Sequence, residues 1–97
     1  MIRQGDVQLI KIDKLPKDVE LLKGRCELAF GEVTGHAHRI NVGQIFEDRN
    51  GQLYLKAEEL TRVTHEEHPT VEPKKGIYIV RIKRVYDSAQ GWVKVKD

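Results

Sequence analysis

The chain has 97 residues, a single cysteine and a net charge of +2, with 39% hydrophobic and 33% charged residues. That length reads as one domain, residues 1–97, with a modest core, and the lone Cys26 excludes an internal disulfide. No stretch approaches the roughly 20 apolar residues that span a bilayer, and MIRQGDVQLIKI lacks a secretion-signal pattern, so a cytoplasmic protein without membrane contact is expected.

In chain order, residues 5–12 (GDVQLIKI) read as a strand, with Val7 and Leu9 on one face and Ile10 and Ile12 on the other. Pro16 ends it by removing a donor and restricting Leu15. Residues 19–30 give two short β-prone pieces around Gly24. Residues 34–42 read as a strand entered through a bend near Gly31. Asn50-Gly51, between IFE and QLYL, is the strongest hairpin signal, since both positions tolerate positive φ.

Residues 57–66 lack clear alternation. Ala57, Leu60, Val63 and Thr64 share a helical face there, which allows one short helix limited by the threonines and the approaching Pro69. In GIYIVRIKRVY, Tyr78, Val80 and Ile82 alternate with Ile79, Arg81 and Lys83. With WVKVK this predicts a C-terminal hairpin having one apolar and one cationic face. The sum is an all-β domain, a small barrel or sandwich of short antiparallel strands.

All four histidines fall in two short clusters, GHAH at His36 and His38 and HEEH at His65 and His68. On a strand, His36, His38, Ile40 and Val42 share a face, so the imidazoles look toward the interior. Two imidazoles from a strand and one or two from a turn match the ligand count of a zinc, iron or nickel site. His36, His38, His65 and His68 are therefore the candidate metal ligands, with Glu66 or Glu67 as a further ligand, an acceptor for an imidazole N–H, or a base on bound water. A metal-dependent hydrolase or oxygenase follows from that chemistry.

The same groups support a metal-free scheme. His36 and His38 would exchange protons as general base and acid, while Arg39 or Lys75 steadies negative charge; this suits an RNA substrate with its internal 2′-hydroxyl. His36, His38, Arg39 and Glu66 are thus the candidate catalytic residues, with Arg39 orienting an anionic group. The sequence does not decide whether catalysis occurs.

His36-Ala-His38 after Gly31, with Glu47 and then Pro73-Lys-Lys-Gly76, resembles the cupin pattern. That resemblance implies a β-barrel with a metal held by histidines and a glutamate. The chain departs from it in the spacing of Gly31 and Glu47 and in having no histidine after Gly76, so it assigns no residue.

The charge is unevenly spread. Residues 1–46 carry seven Lys or Arg against six Asp or Glu, residues 47–72 three against seven, and residues 73–97 seven against two. Arg81, Lys83, Lys94 and Lys96, with Trp92 to stack on a base, form a candidate nucleic-acid surface. A third reading is a structural or assembly module, a homo-oligomer in which the acidic middle docks on a neighbour's basic tail.

Overall fold

The computed structural model describes residues 1–30, 35–87 and 91–94, and for 84–87 and 91–94 it describes the strand backbone. Among these residues there are eleven strands: β1 (Ile2–Gln4), β2 (Val7–Ile12), β3 (Glu20–Leu21), β4 (Glu27–Phe30), β5 (Ala37–Ile40), β6 (Gln44–Glu47), β7 (Leu53–Ala57), β8 (Val63–Thr64), β9 (Gly76–Ile82), β10 (Arg84–Asp87) and β11 (Gly91–Lys94). The expected bend at Gly31, the start of its strand at Thr34, and Lys96 lie outside the described residues.

The strands form a six-stranded sheet in the order β1-β2-β9-β7-β6-β3, a three-stranded sheet β4-β5-β8, and the hairpin β10-β11, all antiparallel. Register decides which side chains share a face. Leu9 and Leu53 both lie opposite Val80, and Leu55 lies opposite both Ile45 and Tyr78. These residues form the inner face of the larger sheet. Leu28, Ala29, Ile40 and Val63 come from the smaller sheet, and together they make one core cluster. Each fully buried Leu, Ile or Val there contributes about 1.5–3 kcal/mol relative to exposure. A register shift between Glu27 and Ala29 breaks the alternation of β4, and both Leu28 and Ala29 are buried.

The architecture is therefore an open sandwich and not a closed barrel: β1 and β3 remain edges of one sheet, β4 and β8 of the other. The short helix allowed around residues 57–66 does not form. Ala57 ends β7 opposite Gly76, and Val63–Thr64 pair with β5. Between them Leu60 takes a left-handed φ of 67°. Thr61 Oγ1 accepts the Glu58 N–H at 2.8 Å, and Asn41 both donates to Leu60 O and accepts the Arg62 N–H. The Thr61 bond competes locally with helix formation, the Asn41 bonds hold the loop from across the fold, and Leu60 is left exposed rather than on an apolar face. Val42 is exposed too, because the chain leaves β5 at Ile40 and turns through Gly43, φ 115°, into β6.

Strand β2 begins at Val7, two residues later than the alternation suggests, because Gly5-Asp6 is the loop of a hairpin. Gln4 pairs with Val7 across it, and Gly5 has φ 58°. A glycine first in a two-residue hairpin loop is what a type II′ turn requires. The Asp6 carbonyl accepts the Lys83 N–H at 2.8 Å, which fixes this turn against the end of β9.

Candidate functional site

The pairing of β5 with β8 brings the two histidine clusters together. Arg39 lies opposite Thr64 and Ile40 opposite Val63. Continuing that register past the end of β8 places His38 opposite His65, Ala37 opposite Glu66 and His36 opposite Glu67. The contacts follow this order. The His38 and His65 rings are 4.3 Å apart, the Ala37 N–H donates to Glu66 Oε1 at 2.9 Å, and His36 Nδ1 lies 3.8 Å from Glu67 Oε1. His65 also meets His36 edge-on at 5.7 Å and His68 at 4.8 Å, and His68 stacks nearly parallel to His38 at 6.3 Å.

Within this cluster the imidazoles have different surroundings. His38 is fully buried, with Nδ1 2.8 Å from Gln4 Oε1 and Nε2 3.2 Å from Asp6 Oδ1. Burial pushes its pKa down, with His65 adding to the effect and Asp6 opposing it. Both ring nitrogens are engaged inside the fold. His36 and His65 are half-buried, and one ligating atom from each lies within 4.8 Å of the other and of a Glu66 carboxylate oxygen. His68 is half-buried, with its Nε2 enclosed and without a hydrogen-bond partner among the described residues.

Glu66 is held as a carboxylate. The Ala37 N–H is the largest cause and its own backbone N–H adds to it; Arg39, 2.8 Å from Oε2, adds less. Together they lower its pKa to about 2. Arg39 and Glu66 each keep over a third of their side-chain surface exposed, so this pair sits at the rim of the cluster. On the other side of the 65–68 turn, the Glu67 N–H donates to His65 Nδ1 at 3.0 Å.

The candidate residues of the C-terminal third stand elsewhere. Arg81 lies opposite Gln8 in the six-stranded sheet, and Lys83 falls between β9 and β10. Trp92 and Lys94 occupy β11 opposite Tyr86 and Arg84. The expected strand from residue 76 to 86 is thus two strands broken at Lys83, so Arg81 does not share the hairpin of Trp92 and Lys94.

Sequence reasoning misses Gln4 and Asp6, which are 4% and 3% exposed. The available signal was Gln-Gly-Asp ahead of an apolar strand. An amide and a carboxylate flanking a turn glycine ordinarily read as solvated, and only the packing of β5 against this turn buries them.

A family model described as a domain of unknown function (DUF8820) matches residues 3–83. The chain belongs to that family. The matched span takes in Gln4, Asp6 and all four histidines. No curated protein and no solved structure matches the chain. Among the described residues no helix is long and apolar enough to cross a membrane.

Proposed function

We propose that the protein binds a transition-metal ion through His36, His65 and Glu66. The observation that carries this reading is the approach of one ligating atom from each to within 4.8 Å of the others. Bonds of about 2.0–2.2 Å to a tetrahedral ion require donors about 3.4 Å apart. Small side-chain rotations therefore suffice to close the set. Two imidazoles and a carboxylate suit zinc, iron(II) or nickel and leave positions open for water or substrate. Hydrolysis or oxidation is the chemistry such a centre supports. Arg39, whose guanidinium carries five N–H donors, stands beside Glu66 to receive an anionic group.

Metal binding has a definite local consequence. The Glu67 N–H donates to His65 Nδ1. A metal on Nδ1 displaces that donor. A metal on Nε2 of a neutral ring requires the hydrogen on Nδ1, which can then no longer accept. Either way the Glu67 amide is released.

The test is metal content of tag-free protein by inductively coupled plasma mass spectrometry, beside a His36→Ala/His65→Ala variant. Near-stoichiometric metal in the wild type, lost in the variant and accompanied by a shift of the Glu67 amide resonance, is expected. Wild-type protein without metal after incubation with zinc, iron(II) and nickel would end this reading. RNA cleavage in the presence of chelator would then favour proton transfer by the same imidazoles.

A further inference from the structure

Three consecutive residues, Gln4, Gly5 and Asp6, each contact a different part of the histidine cluster. Gln4 Nε2 donates to Val63 O at 2.8 Å and to Pro69 O at 2.9 Å, the two ends of the segment that carries His65, Glu66 and His68. Only an amide nitrogen can donate both bonds, so the orientation of the Gln4 side chain is settled. Its oxygen therefore faces His38 Nδ1, which must bear the hydrogen in that 2.8 Å contact. Asp6 Oδ1 meets the opposite ring nitrogen at 3.2 Å, so the ring is held between the two turn residues.

Gly5 supplies the third contact. A Cβ at this position would come within 2.7 Å of His68 Nε2 and 2.9 Å of Cδ2, and its φ of 58° also favours glycine. The turn itself is held by its hairpin register and by Lys83. It is a fixed frame, and the cluster is assembled against it.

We infer that the Gln4-Gly5-Asp6 turn is the positioning device of the site. It sets which nitrogen of His38 carries hydrogen, staples both ends of the 63–69 segment against β5, and seats His68. None of the three residues ligates the metal; they act through His38, His65 and His68. Groups bonded directly to a metal ligand typically change metal affinity by about 10–100-fold; these three stand one contact further out, so the lower end of that range is expected. The inference rests on the metal reading only where affinity is the readout.

The experiment uses the full chain as wild type, Gln4→Glu, Asp6→Asn and Asp6→Ala. Long-range 1H–15N spectra of the histidine rings are recorded with chelator present, and zinc affinity is measured by competition. In the wild type His38 Nδ1 should carry hydrogen. Gln4→Glu keeps the shape but loses both donors to Val63 O and Pro69 O. Its His65 and His68 ring signals should move, and zinc should bind about tenfold more weakly. Asp6→Asn can donate an amide hydrogen to Nε2 of an Nδ1–H ring, so it should bind close to wild type while Asp6→Ala does not.

A His38 with a bare Nδ1, or unchanged ring signals in Gln4→Glu and Asp6→Ala, overturns the inference. If Gln4→Glu does not fold, the contrast between the two Asp6 variants decides by the same ring signals. Wild type that takes up no zinc sinks the metal reading alone, because the chelator spectra still test the positioning.

Discussion

The turn at residues 48–52 and the cluster around His38 use the same chemistry over very different separations in sequence. In the turn, Asp48 Oδ1 accepts the N–H groups of Asn50 and Gln52, and the Gly51 N–H returns to Asp48 O. These backbone partners lie within four residues, the Tyr54 hydroxyl donates to Asp48 Oδ2 from six residues on, and Gly51 has a φ of 83°. At His38 the partners Gln4 and Asp6 are 34 and 32 residues away, and Gln4 reaches 59 and 65 residues on to Val63 and Pro69. The first set forms as soon as the local chain turns. The second exists only when two sheets are stacked in register, and its Gln4, Asp6 and His38 side chains are buried away from water that could replace a missing partner. A lesion in the turn should therefore stay local and cheap, while one in the cluster should be global and costly.

The largest expected effect is at His38. Replacing it with leucine keeps the volume but leaves Gln4 Oε1 and the Asp6 carboxylate buried without their partner. We expect a loss of about 2–5 kcal/mol, since each buried polar group left without its partner costs about 1–3 kcal/mol and a charged one more. Denaturant unfolding checks it. A loss no larger than that of an exposed substitution would collapse the contrast between the two regions.

Asp48→Ala should cost about 1–3 kcal/mol, since it removes three hydrogen bonds, two from backbone N–H groups that can turn to water and one from the Tyr54 hydroxyl. Its effect should be confined to the β6–β7 hairpin. Amide exchange that quickens at Asn50 and Gln52 but not at Ile40 or Val63 is the expected pattern, and quickening at both places would show that the turn is not autonomous.

The smallest effect lies at the exposed rim. Glu66 has a pKa of about 2 in the fold against an ordinary 4.5. A depressed carboxylate pKa contributes stability that is present above the unfolded value and is lost as pH falls through the folded one. The contribution of Glu66 should therefore be intact above pH 4.5 and disappear toward pH 2. Stability of Glu66→Gln should depend less steeply on pH across that window than wild type, and parallel curves would remove Glu66 as an anchor of the 65–68 turn.

Legibility in the sequence follows the same division. The hairpin at Asn50-Gly51 could be read from two residues because positive φ at glycine is a local property. Val7, Leu9, Tyr78 and Val80 were placed by alternation, since period two needs no knowledge of the neighbour strand. Residues 57–66 misled because the spacing of Ala57, Leu60 and Val63 suits a helix. The bonds that decide otherwise involve Asn41, nineteen and twenty-one residues away. His36 and His38 were visible as a pair and His65 and His68 as another, but no pattern within either states that they meet.

By itself the sequence determined that the chain makes short antiparallel strands, where one tight turn falls, and that its imidazoles come in two groups. Strand alternation, turn dihedrals and residue chemistry are short-range properties carried by neighbours in the chain. Only the tertiary structure decided that β8 pairs with β5 in the register that sets His65 against His38. It also decided that a polar turn near the N-terminus is buried beneath them. Those outcomes depend on which apolar faces stack, a choice made by the whole core and recorded in no single segment.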